Sequence, residues 1–277
     1  MASAQCELYP YTPSLPLAVV AIIFFSMLVG IHAFRMMQTK TWMSAFFTLG
    51  GVAQLSGYTV RIFSTCNRAA YASQSVLLLL GPTFIMFSVN LIQIEFARVL
   101  EAKRFCWVPI AWQPLLYLSL NTILMIAQLV GDAMSTASSS IEIIETGSKI
   151  TIAIYVIQLL FWLFTLAENT YMTIRLRRQP TDACKTKIPH WKRWSQFFGL
   201  SVCIIAAGRN VMRLTMVGGV AFLVDNEWPS YAFDGYQMVV VLSAWAIFYL
   251  PEELCKVSSR VSYMSLTELE RADERQV

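Results

Sequence analysis

Seven long apolar stretches divide this chain, and the basic residues between them crowd onto alternate connections. The stretches run near Leu15–Phe34, Trp42–Val60, Ser75–Ile94, Trp112–Val130, Ile150–Ala167, Ser195–Val224 and Gly235–Leu250. A helix needs about 20 mostly apolar residues to cross a hydrocarbon layer about 30 Å thick. Only helices satisfy their own backbone in lipid over such lengths, so the pattern predicts an all-α, membrane-embedded bundle. Hydrophobic residues make up 56% of the chain and charged residues 14%. A soluble domain carries about 25% charged residues, and one core of this size would leave too much apolar surface wet.

Sixteen of the 21 lysines and arginines fall on one set of connections and in the tail after Leu250. The opposite connections carry Arg61 and Arg68 alone. Positive loops stay cytoplasmic, so the expected topology has the N-terminus outside, the C-terminus inside and seven crossings. Residues 1–13 form an extracytoplasmic segment, 14–251 the transmembrane domain and 252–277 a cytoplasmic tail. No basic residue precedes the first stretch, which reads as an uncleaved anchor rather than a signal peptide. The run Arg175–Arg193 is interrupted by Pro180 and Pro189. It reads as a basic loop beside anionic lipid, not as a nucleic-acid patch.

Cys6 and Cys66 both fall on the outer side, where disulfides persist, and are expected to pair. Cys106, Cys184, Cys203 and Cys255 lack zinc-ligand spacing, so no metal site is expected. The chain has no P-loop, no H-E-x-x-H and no G-x-S-x-G, and no cofactor is implied. The last stretch has no lysine for a retinal Schiff base.

Ionisable groups at membrane depth are costly and face the bundle interior. Arg61 ends the second stretch, Asp132 ends the fourth, and Arg209 and Arg213 lie in the outer half of the sixth. Glu227 precedes the seventh and Asp234 opens it. At about 1.5 Å of rise per residue these six groups converge on one outer level. Arg209 and Arg213 are four apart and share a helix face, so anions must lie between them. Those anions are the carboxylates, locking the bundle, or a ligand headgroup, or both in turn. Pro82 breaks one backbone hydrogen bond of the third helix. His32, Glu95, Glu168 and Asn169 lie near the inner ends and read as snorkelling end residues, although His32 with a carboxylate could serve a proton-coupled step.

These positions resemble the fungal lipid-translocating exporter family, also called RTA-like. The resemblance runs over roughly residues 6–251 and is carried by Arg209, Arg213, Gly218-Gly219, Glu227, Tyr231, Asp234, Met238 and Pro251. Tyr11 to Ser14, Gly57-Tyr58, Arg61, Gln74, Pro82, Gly131-Asp132, Ser135 and Gln158 extend it. It implies seven helices and export or flip of a sphingoid-base-like or toxic amphiphile, without ATPase activity. Gln54 and Met216 stand where the family usually carries glutamates, Asn90 where it has a tyrosine, and Ser138 to Ser140 where it has Gln-Gly-Gly. The partners of Arg61 and Arg213 therefore differ from the family pattern. A lipid or amphiphilic small molecule is the expected partner, with no nucleic acid and no protein partner implied, and the plasma membrane is the expected site. A seven-helix receptor, or a membrane cyclase or isomerase using Asp132, Glu227 and Asp234 as acids, are the alternative readings.

Overall fold

The computed structural model describes residues 9–138, 140–188 and 190–257. Helices are α1 (Leu15–Thr39), α2 (Ala45–Arg61), α3 (Arg68–Val99), α4 (Gln113–Ala137), α5 (Ile141–Arg178), α6 (Asp182–Thr186), α7 (Trp191–Cys203), α8 (Val211–Val217), α9 (Ala221–Val224) and α10 (Gln237–Ile247). Single 3-10 turns at Trp42–Ser44 and Lys103–Phe105 lead into α2 and follow α3. Two seven-residue π-helical segments, Ile204–Asn210 and Ser230–Tyr236, join α7 to α8 and open α10. Among the described residues there is no strand.

Why these helices start and stop where they do is local chemistry. Pro16 sits in the first turn of α1, where a missing N–H costs nothing. Asn67 caps α3 by accepting the N–H groups of Ala69 and Ala70 at 3.0 and 3.2 Å. The sixth stretch was expected to run on to Val224, but α8 stops at Val217. Gly219 follows in the left-handed region at φ 83°, where a side chain would be strained.

The bundle is apolar on its outside. Along α1 the buried residues are Ala18, Ala21, Phe25, Leu28 and His32, a stripe at three- and four-residue spacing. Val19, Val20, Ile23, Phe24, Met27 and Ile31 point outward. On α4 the inner face is mostly polar, with Gln113, Tyr117, Asn121 and Gln128 buried, while Leu115, Ile123, Ile126 and Val130 are exposed. Water would not leave a fold so arranged; lipid would. Among the described residues, six helical segments are long and apolar enough to cross a membrane: Leu15–Thr39, Arg68–Val99, Gln113–Thr136, Ile141–Arg178, Trp191–Val217 and Ser230–Val257. α2, with 17 residues, falls short of that length by itself.

Antiparallel order is visible at both ends. Arg61, ending α2, meets Tyr11 ahead of α1. At the other end Thr41 bonds Tyr249 at 2.8 Å, and Ser88 of α3 donates to Met43 O at 2.9 Å. Between them lies an aromatic core around Trp245, whose ring stands 5.1 Å from Phe47, 4.8 Å from Phe197 and 5.3 Å from Phe198. Its indole N–H donates to Ser201 Oγ at 3.1 Å, which satisfies the one polar atom in that packing.

Candidate functional site

Two ion-pair clusters lie at the end of the bundle where α1 begins and α2 ends. In the deeper one, Arg213 Nη2 hydrogen-bonds Asp234 Oδ2. Arg209 Nε stands 3.0 Å from Asp234 Oδ1, close enough for charge attraction but without hydrogen-bond alignment. Arg209 and Asp234 are 0% and 1% exposed, so neither charge is screened by water. In the shallower cluster Arg61 Nη2 donates to Glu227 Oε1 at 3.0 Å and to Tyr11 Oη at 3.2 Å. The Arg61 guanidinium also lies 5.4 Å from the Tyr9 ring and 5.3 Å from the Tyr231 ring, within cation–π range. Glu227 fixes the chain entering α1, accepting the Ser14 N–H at 3.1 and 2.9 Å through its two oxygens.

The deeper pair depends on three irregular backbone segments. Pro82 has no N–H, so the Leu78 carbonyl one turn earlier loses its α-helical donor. Gln54 Nε2 and Arg209 Nη2 approach that carbonyl instead, at 3.3 and 3.5 Å. Arg209 itself lies in the π-helical segment 204–210 and Asp234 in the segment 230–236. Widened turns of this kind re-aim side chains and are frequent at functional sites.

Of the six charged residues read from the sequence, five are thus joined in two clusters. The sixth, Asp132, makes no ion pair among the described residues, and its Oδ2 is buried without a hydrogen-bond partner. Met216 lines the space beside Arg213, and Gln54 serves the Leu78 carbonyl, so neither restores a carboxylate. Between the clusters is a cavity of about 80 Å³ bordered by Arg61, Arg213, Asp234 and five tyrosines: Tyr9, Tyr11, Tyr58, Tyr71 and Tyr231. Tyr9 donates to Gln74 Oε1 at 3.0 Å and shares a 2.6 Å hydrogen bond with Ser64. Tyr9 and Tyr71 had no charge or spacing to mark them in the sequence; only the packing of α1, α2 and α3 brings them here. Among the described residues no group of His, Cys, Asp and Glu is placed to hold a metal ion.

Cys66 is disulfide-bonded. Its expected partner Cys6 lies outside the described residues. Cys106, Cys184, Cys203 and Cys255 are free thiols.

His32, Glu168 and Asn169 are buried, contrary to the snorkelling expectation, whereas Glu95 pairs with half-exposed Arg98. Glu168 is buried and accepts the backbone N–H groups of Trp107 and Val108 at 3.0 and 3.1 Å, Gln113 Nε2 at 3.1 Å and the Tyr117 hydroxyl. It holds the α3–α4 connection against α5. His32 Nε2 donates to Leu242 O at 3.0 Å, and its ring packs 5.4 Å from Phe47. Among the described residues it hydrogen-bonds no carboxylate, so the contacts seen there form no relay through His32.

A helical bundle with an apolar exterior and arginine–carboxylate pairs inside defines an integral, multi-pass membrane protein. The chain belongs to the family described as RTA1 like protein, which matches residues 47–256. It is similar to the uncharacterized membrane protein YLR046C of Saccharomyces cerevisiae, 20% identical over 82% of this chain and 84% of that one. It is similar to the sphingoid long-chain base transporter RSB1 of S. cerevisiae, 23% identical over 86% of this chain and 72% of the other. Protein RTA1 of the same yeast is 20% identical over 90% of this chain and 86% of its own length. No solved structure matches it.

Proposed function

We propose that this protein moves a lipid or amphiphile across the membrane, receiving its polar headgroup in the cavity between the two ion-pair clusters while the tail stays in lipid. The carrying observation is a polar, tyrosine-lined space of about 80 Å³ set against Arg61, Arg213 and Asp234. Whole-ligand pockets run to about 300–1,000 Å³, so this one fits a headgroup and not a chain. Arginine forks and tyrosine hydroxyls suit phosphate, carboxylate or hydroxyl groups, and Arg213 at 22% exposure can exchange Asp234 for a ligand oxygen. Kinship with a relative named as a sphingoid long-chain base transporter supports the same reading.

In this reading the chain crosses the membrane seven times, with its N-terminus outside and the plasma membrane as the expected site. α2 and its preceding 3-10 turn together run 20 residues from Trp42 to Arg61, about one hydrocarbon thickness. The end contacts of Arg61 and Ser88 support a full traverse by α2. Basic residues such as Arg104 and Lys187 lie at the end opposite Arg61 and would be cytoplasmic.

The test is a vesicle flip assay with a fluorescent amphiphile, comparing the unaltered protein with Arg213→Ala and Asp234→Asn. At least a tenfold slower flip is expected for each. Unchanged rates in normally folded variants would remove both residues from the mechanism.

A further inference from the structure

Besides the Arg209–Asp234 pair, a neutral side chain links the two π-helical segments. A π-helical turn closes i→i+5 where an α-turn closes i→i+4, so it holds an extra residue and leaves a carbonyl short of its usual donor. Gln237, the first residue of α10, stands between the segments 204–210 and 230–236. With its amide nitrogen turned toward the acceptors, the orientation that satisfies it, Gln237 donates to Phe233 O and Ile204 O, each at 3.2 Å. One acceptor lies in its own helix and the other in the facing one. Gly208 makes the approach possible, because a Cβ there would lie 1.9 Å from the end of the Gln237 amide. That glycine immediately precedes Arg209, and Gln237 lies three residues after Asp234.

We infer that Gln237 is a positioning residue: by bridging the two π-helical segments it fixes the register that places Arg209 and Arg213 on Asp234. Loss of the extra residue from a π-turn rotates everything beyond it by about 100°, the angle per residue of an α-helix. For the segment 204–210 the group carried round is Arg213, which would leave Asp234. The widened turns are the places where the helices can change register, and the Gln237 amide is the neutral hydrogen-bonding contact that reaches the backbone of both. This deepens the proposed headgroup site, and its transport consequence rests on that reading. The backbone consequence does not.

The test is a double-mutant cycle in lipid nanodiscs, read by hydrogen–deuterium exchange over residues 204–210 and 230–236 and, in vesicles, by flip of a fluorescent amphiphile. Gln237→Ala removes the bridge. Gly208→Ala displaces it, since the new methyl meets only the mobile end of a side chain and the helix can keep its path. Each single variant is expected to speed exchange in both segments at least tenfold and slow flip at least tenfold, and the double variant is expected to be no worse than either. Gln237→Ala behaving like the unaltered protein and rescuing Gly208→Ala would overturn the inference, because the pair would then be a matter of space alone. Faster exchange with unchanged flip would also overturn it as a positioning role. Should the unaltered protein flip no probe, the translocation reading fails, and the exchange arm still decides the bridge: protection equal to the unaltered protein sinks it, and lost protection in both segments upholds it.

Discussion

Replacing Asp234 by asparagine keeps the volume of the side chain and removes the one negative charge that two guanidinium groups share. The two arginines respond differently. Arg213 is 22% exposed and can recover contact with water or headgroups, whereas Arg209 is fully buried and cannot. Its remaining polar contact is the Leu78 carbonyl at 3.5 Å. Leaving one partner of a buried pair uncompensated costs about 3–5 kcal/mol, which is roughly two to three and a half powers of ten in the unfolding constant. Equilibrium unfolding in mixed micelles, followed by tryptophan fluorescence and repeated by refolding, reads this directly. Arg213→Met should cost less, about 1–3 kcal/mol, because Arg209 still stands beside the carboxylate but the buried Asp234 loses the hydrogen bond it accepts. The double variant Arg209→Met/Asp234→Leu should recover most of the loss, because apolar groups of similar size replace a buried pair at little net cost. An Asp234→Asn protein within about 1 kcal/mol of the unaltered one would refute the premise that Arg209 is held by this carboxylate.

Three further outcomes follow from the same contacts. Glu168→Gln should loosen the connection between α3 and α4 at a cost of about 2–3 kcal/mol, since an amide with one oxygen cannot accept all four of its donors; limited proteolysis near residues 106–112 would report it, and unchanged resistance would contradict it. Gly147→Ala should destabilise by about 1–3 kcal/mol, because its Cβ would meet Ser135 N at 2.7 Å and Gly131 O at 2.9 Å, both backbone atoms; Gly199→Ala, whose Cβ would find Leu166 Cδ1 at an ordinary 3.5 Å, should not, and thermal unfolding in nanodiscs compares the two. Burial, and after it the Glu168 carboxylate, push the Cys106 thiol up to about 11. The reactive thiolate is the deprotonated form, so alkylation of Cys106 should rise about tenfold per pH unit from 8 to 10; a rate levelling off near pH 9 would contradict that environment.

The all-helical, multi-span character of the bundle was legible because membrane helices announce themselves one at a time. Each needs its own apolar length. The four-residue spacing of Arg209 and Arg213 called for anions beside them without choosing among Asp132, Asp234, Glu227 and a ligand; in the structure both guanidinium groups face Asp234. Pro82 announced a freed carbonyl, but nothing in the chain said that Arg209 and Gln54 would approach it, because that depends on how α2, α3 and the segment 204–210 stack. The π-helical segments left no trace in composition: Ile204-Ile205-Ala206-Ala207 reads as ordinary apolar helix. Gln237 was invisible for the same reason, since its role needs both segments at once. Glu168 misled through its position; a carboxylate near a helix end reads as reaching for water until four donors are found around it. Asp132 makes no ion pair among the described residues and leaves its Oδ2 buried without a hydrogen-bond partner, which its place near the end of α4 did not foretell.

Entry of a headgroup between the two clusters can be measured by photocrosslinking in proteoliposomes, using two versions of one amphiphile with a diazirine at the headgroup or at the chain terminus. The headgroup probe is expected to label peptides carrying Tyr58, Tyr71 or Tyr231, and to lose that labelling in Arg213→Ala, while the chain-end probe labels outward residues such as Ile123 and Ile126. Headgroup and chain-end probes that both mark only the outward apolar faces, with no adduct at any of the three tyrosines, would contradict the account.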